Sequence, residues 1–366
     1  MGKMKKLEVK LKSRILLLST TAKIELLKMK NLWTKVLFTA GLMLVSTMAF
    51  AGQTLNGAGA TFPYPLYSKW FYEYAKQTGV QINYQAIGSG GGIQQIIAKT
   101  VDFGASDAPL DADTLNKYGL IQMPTVAGAV AMAYNIPGIG KGLKFTPELI
   151  AGIYLGKITR WDDPEIKAVN PDLKLPSLPI IVVHRSDGSG TTNIFTTYLS
   201  AVSKEWSDKV GHSTSVNWPV GIGGKGNAGV AGFISQTKGS VGYVELAYVL
   251  QNKMSYGPVK NESGVFVWPT IESAKAAAAS VREVPADFNI MFVNAPGKNS
   301  YPIAGFTFLI IYKHQTNPEK GKELLKFIHW IYSKGEKMAP SLDYVPLPEG
   351  LIEKINTQLK EVTIEP

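Results

Sequence analysis

Three Gly-rich loops that carry Ser or Thr, each leading into a helical stretch, hold the residues best suited to chemistry. They are 57–63 (GAGATFP), 88–92 (GSGGG) and 185–191 (RSDGSGT). Helix N-termini expose unpaired N–H groups and about half a unit of positive charge. Glycines let the backbone approach a ligand closely and hydroxyls add donors, so such ends are ready anion sites. A single loop of this kind is usually an ordinary N-cap. Three in one chain point to an oxyanion site, and the third adds Arg185, whose guanidinium offers a two-pronged fork. Asp187 is spaced either to pair with Arg185 and hold that fork or to serve as the turn residue of an Asp-Gly pair. A fourth segment, 101–110 (VDFGASDAPL), sets Ser106 and Asp107 before Pro109 and a further helix. Asp107 is there either that helix's N-cap or a hydrogen-bond acceptor inside the anion site.

Other chemistries find less support. The chain has no Cys, which removes thiolate metal sites, Cys nucleophiles and disulfides. Its four His residues (184, 212, 314 and 329) show no metal-ligand spacing. A phosphatase could use Ser89 or Thr191 as nucleophile and Arg185 as charge stabiliser, but neither a GxSxG elbow nor a base is evident. The segment 221–227 (GIGGKGN) lacks the gap and the Ser/Thr after Lys225 of a phosphate-cradling P-loop, and reads as a surface or cleft-rim loop.

The elements that must position these loops alternate in type. Strands are expected at 80–87, 126–134, 179–184, 240–244 and 305–312, with an amphipathic helix over 64–77. Further helices are expected around Ile93, around Ile194, over 271–282 and after Pro318. Such alternation predicts α/β layers, and the 366-residue length leaves room for two domains. No repeat or flexible linker separates them, so the chain is expected to cross between them through strands.

The net charge of +10 suggests nucleic acid until it is located. Residues 1–51 hold ten of the 38 basic and two of the 28 acidic residues, leaving 28 basic and 26 acidic beyond them, a net of +2. The excess belongs to a leader, and no nucleic-acid partner is expected. Met29 to Lys35 is a cationic start, Val36 to Val45 an apolar run and Ala49-Phe50-Ala51 a small-x-small cleavage site. Together they read as a secretory signal ending at Ala51, with 1–28 as an extension upstream of a second possible start, Met29.

With these motifs in order, the chain closely resembles the periplasmic phosphate-binding proteins of bacterial high-affinity phosphate ABC transporters. The resemblance runs from about Leu55 to the C-terminus through GAGATFP, YQAIGSGGG, TVDFGASDAPL, IYLGKITRWDD, RSDGSGT, GGKGN, GYVELAY and DYVPLP. It implies an α/β fold of the two-lobed type II periplasmic-binding-protein class, with mixed sheets flanked by helices and a hinge of crossing strands. One lobe would hold 52–130 and 303–366, the other 131–302. It also implies a periplasmic, monomeric, non-enzymatic receptor without cofactor or metal, which hands inorganic phosphate to an inner-membrane permease and its ATPase complex.

Carried over by motif, the phosphate ligands would be Thr61, Phe62, Ser89, Asp107, Arg185, Ser189, Gly190 and Thr191, with Asp187 behind Arg185. Phe62 and Gly190 would act through backbone N–H, and Asp107 would accept a hydrogen bond from the protonated oxygen that phosphate has and sulfate lacks. The sequence departs from the family at Gly90, where relatives often have a second Ser, and at His184, read as a strand-end histidine.

Overall fold

A computed structural model describes residues 54–365 without interruption, and residues 2, 4, 7, 8, 10–12, 14, 16–23 and 25–30 of the leader. The described leader residues are helical and exposed, Leu7, Leu11, Leu16 and Leu17 among them. The apolar run and cleavage site expected at 36–51 lie outside the described residues. No helix among the described residues is long and apolar enough to cross a membrane. Gln53–Pro366 form one compact unit.

That unit is built on strands β1 (Thr54–Gly59), β2 (Gln81–Ala86), β3 (Phe103–Ser106), β4 (Leu120–Asn135), β5 (Ile181–Arg185), β6 (Ile222–Gly224), β7 (Ser240–Glu245), β8 (Ser255–Gly257), β9 (Val259–Lys260), β10 (Phe266–Val267) and β11 (Ala304–Tyr312). Nine of them join in the order β2-β1-β3-β11-β4-β7-β5-β6, with β8 also on β4. Pairing is parallel among β2, β1 and β3 and among β7, β5 and β6, and antiparallel where β11 and β4 join the two groups. Helices connect the parallel strands, as βαβ crossovers require.

β4 is the joint. Its residues 120–129 pair with β11, and its residues 130–135 pair with β7. Fifteen of its sixteen residues are buried, so it shows no alternation of apolar and polar side chains. It begins six residues before the expected 126, because Pro124 reads as a breaker. The proline is accommodated by a bulge, where the register with β11 shifts between Thr307 and Phe308.

The remaining strand expectations hold to within two residues at either end. β1 and β3 were not legible, because TLNGAG and FGAS are small-residue runs without period. Their composition follows from crowding: a Cβ on Gly57 would stand 2.2 Å from the Phe103 ring. The helix Tyr64–Thr78 starts on Pro63-Tyr64-Pro65 and stops at Gly79, whose φ of 79° favours glycine. It buries Leu66, Tyr67, Trp70, Phe71 and Tyr74. The Ala-rich helix covers only Ile271–Ala278 of the expected 271–282.

Candidate functional site

The site forms where the parallel strands end. β1, β2 and β3 deliver Thr61, Ser89 and Asp107, and β5 and β6 deliver Arg185–Thr191 and Gly226-Asn227 from the facing group. Ligand crevices in α/β sheets lie beyond such carboxyl ends. Backbone bonds lock the edge on each side: Ala60 N–H donates to Ala105 O at 2.9 Å, Gly88 N–H to Gly59 O at 2.9 Å and Ser186 N–H to Gly224 O at 3.1 Å.

The loops differ locally from their expected form. Gly57–Gly59 belong to β1, and Ser89–Gly92 form the first turn of the helix Ser89–Ile97, with Gly88 as N-cap. Only the third loop ends in a side-chain cap, Ser189 Oγ accepting from Thr192 N–H at 3.0 Å. The hydroxyl proton of Ser189 remains available to donate.

The two sides meet at Ser89. Its Oγ accepts N–H bonds from Asp107 at 3.1 Å and from Gly190 at 3.0 Å. Gly90 N–H donates to Gly188 O at 2.9 Å. This approach leaves no room for side chains: a Cβ on Gly190 would lie 2.5 Å from Asp107 Cβ, and one on Gly90 would lie 3.0 Å from Gly188 Cα. Gly90 therefore sits against backbone.

Asp107 does not cap a helix. The next helix, Ala112–Tyr118, is capped by Asp111, whose Oδ1 accepts from Thr114 N–H at 2.7 Å. Asp107 is instead buried at the junction, with Oδ1 accepting from Thr307 Oγ1 at 2.8 Å. Burial pushes its carboxyl up to about 7, against the pull of the Thr307 hydroxyl, Arg185, the Ser89 hydroxyl and the Thr191 amide.

Arg185 and Asp187 form the expected fork-on-fork pair, Nε to Oδ1 at 2.8 Å and Nη2 to Oδ2 at 2.5 Å. Asp187 Oδ1 also accepts from Gly226 N–H at 2.9 Å. Although burial opposes it, the Arg185 guanidinium holds the Asp187 carboxyl below the usual carboxylate range. Arg185 Nη1 reaches Thr191 Oγ1 at 3.4 Å. Phe62 is buried, its ring edge-on to Tyr344 at 6.3 Å between centroids. His184, at the end of β5 as expected, stacks on Trp218 at 4.8 Å and bonds Arg185 O through Nδ1. Half-burial pushes its imidazole below the usual value.

Asn227 was missed. It lies fully buried at the start of the helix Gly226–Gln236, in the segment read as a rim loop. Its Nδ2 donates at 3.0 Å to both Thr61 Oγ1 and Thr191 Oγ1, and its Oδ1 accepts from Glu245 N–H at 2.9 Å. Asn227 thus ties the hydroxyls of the first and third loops together. Only the unusual GKGN spelling hinted at it. A cavity of about 630 Å³ lined by Thr61, Tyr64, Lys225, Gly226 and Tyr248 opens beside this junction.

The arrangement gathers hydroxyls, amides and one compensated guanidinium around one buried acceptor. It offers hydrogen bonds to a compact oxyanion and little net positive charge. Among the described residues, no cluster of His, Asp and Glu is arranged to hold a metal.

Comparison with known proteins identifies the family. A PBP superfamily domain matches residues 45–334. Phosphate-binding protein PstS of Pasteurella multocida is 49% identical over 322 residues, covering 87% of this chain and 94% of that protein. Phosphate-binding protein PstS of Xylella fastidiosa is 50% identical over 303 residues, covering 82% and 83% respectively. The chain belongs to the PstS phosphate-binding protein family.

The structure of a high-affinity periplasmic phosphate-binding protein bound with phosphate superposes with a TM-score of 0.67 at 24% identity, covering 83% of this chain and 93% of that one. The shared fold is that of type II periplasmic binding proteins, as the sequence resemblance implied. The family's named members are binding proteins.

Proposed function

We propose that this protein is a periplasmic receptor that captures inorganic phosphate between two lobes and delivers it to an ABC permease for import. The carrying observation is Asp107, a buried acceptor where the second and third Gly-rich loops meet through Ser89. The ligands would be Thr61, Phe62, Ser89, Asp107, Arg185, Ser189, Gly190 and Thr191, with Asp187 holding Arg185; the Gly190 N–H, which donates to Ser89 Oγ here, would be shared with or turned to the anion.

The chemistry of Asp107 accounts for selectivity. Hydrogen phosphate and sulfate match in size and charge, and donors alone would hold both. A buried carboxylate is satisfied only by an oxygen that still bears a proton, and near neutral pH only phosphate has one. Sites built around one buried polar partner reject analogues lacking it by about 10⁴–10⁵-fold. The anion's charge is met by oriented amides and hydroxyls, because Arg185 is already engaged by Asp187.

The lobes in this reading are 52–130 with 303–366, and 131–302. Support comes from the change of partner along β4 at residue 130, with β11 alongside its first part. Closure of the lobes would exclude water and strengthen each hydrogen bond. The closed form would be the state that the permease and its ATPase complex recognise. The protein would act as a monomer, without catalysis, after removal of residues 1–51. Calorimetric titration of residues 52–366 with phosphate, repeated in excess sulfate, tests the reading. It predicts tight binding that sulfate leaves unchanged; sulfate competition at similar concentration refutes it.

A further inference from the structure

Behind the anion site lies a buried carboxyl with no part in holding the ligand. Glu245 ends β7 and is fully buried. Its Oε2 accepts from Ala247 N–H at 3.0 Å and lies 3.0 Å from the Tyr344 hydroxyl; Oε1 has no partner. The same Tyr344 hydroxyl lies 2.6 Å from Phe62 O. A phenol has one proton to donate, and a peptide carbonyl can only accept. At 2.6 Å, the Tyr344 proton belongs to Phe62 O. The contact with Glu245 is then a hydrogen bond only if the carboxyl supplies the proton. An ionised Glu245 would draw the phenol proton to itself and leave the buried Phe62 carbonyl unsatisfied, next to a bare carboxylate oxygen.

We propose that Glu245 is protonated in the native protein, donates through Tyr344 to the Phe62 carbonyl, and so holds Phe62 in place on its C-terminal side, while the Phe62 N–H, in the preceding peptide with Thr61, would face the anion. The inference rests on the phosphate-site reading above. It makes Glu245 a positioning residue, joining strand β7 to the loop after β1. The titratable groups facing it are Tyr344, Tyr248, which donates to Thr61 O at 2.6 Å, and Asp343. No cation stands among them. Burial, with Asp343 adding to it, pushes the Glu245 carboxyl far above the usual range, against the amides of Ala247 and Tyr248 and the Tyr344 hydroxyl.

The test uses infrared spectra and phosphate titration of the full chain at pH 8. Glu245→Gln mimics the neutral acid towards Tyr344: its NH2, in the place of Oε2, can donate to the phenol, at the loss of the acceptor for Ala247 N–H. The expected result is loss of a protonated-carboxyl C=O band in Glu245→Gln, with the phosphate Kd within tenfold of wild type. Tyr344→Phe, which keeps Glu245, should shift that band and raise the phosphate Kd at least threefold. An unchanged band in either variant overturns the proposal. So does a Kd raised more than tenfold by Glu245→Gln at unchanged melting temperature, or one left unchanged by Tyr344→Phe. If Glu245→Gln fails to fold, Tyr344→Phe decides alone. If neither wild type nor variants bind phosphate, the functional reading fails, while the band still reports the proton.

Discussion

The Thr307 hydroxyl donates to Asp107 Oδ1 at 2.8 Å across the β3–β11 pairing. Phe308 opposes Ser106, so the strand register brings Thr307 up to Asp107. One carboxyl oxygen is thereby fixed, and the other's direction with it. In the proposed reading, selectivity for a protonated oxyanion depends on that orientation as well as on the presence of the acid.

Asp107→Asn should therefore narrow the gap between phosphate and sulfate, because an amide can donate to an unprotonated oxygen. Thr307→Val should loosen phosphate by about 1–2 kcal/mol through loss of one bond to a charged acceptor. Competition calorimetry checks both; full discrimination retained by Asp107→Asn would sink the selectivity argument.

The raised Asp107 carboxyl sets a pH dependence in the ligand-free protein. Its value is about 7 when folded and near 3.8 when exposed, so between those pH values the folded state binds more protons. Stability from this group falls as pH rises through that window. Asp107→Asn should be more stable than wild type at pH 8, by about 1–3 kcal/mol, and lose that advantage by pH 4. Urea unfolding of both proteins at the two pH values measures it.

Arg185→Ala should weaken phosphate binding by about 2–4 kcal/mol, part of it from stranding the Asp187 carboxylate with only the Gly226 amide. Adding Asp187→Asn should recover some of the loss. A loss well beyond that range in the single variant, at unchanged melting temperature, would mean that the guanidinium rather than the dipoles carries the anion.

Asn227→Ala should raise the phosphate Kd roughly 10–100-fold by untying Thr61 from Thr191. Asn227→Asp should be worse, since it adds a buried negative charge beside the anion. Titration of the two variants orders the effects; equal affinities would remove Asn227 from the site.

The loops were legible in the sequence because each is local. Arg185, Asp187, Ser189 and Thr191 lie within seven residues, and their spacing alone suggested the fork. The partners that complete the site come from far along the chain. Thr307 sits in the apolar run GFTFLII, where a lone threonine is ordinary, and Asn227 follows two glycines and a lysine. Asp107 was ambiguous because its local context, before Pro109, resembles a cap, and only the fold shows that Asp111 holds that role. Strands rich in β-branched residues, such as SVGYVE of β7, were evident. The Gly and Ala strands β1 and β3 were not, because their small size answers close packing rather than any pattern.

β4 has a mechanical consequence. A single ribbon of sixteen residues is zipped to one set of neighbours along its first part and to another along the rest. Neither half can melt away without fraying a girder the other also leans on. Heating should dismantle the molecule in one cooperative step, even though the two-lobed reading has its halves bend about that same girder.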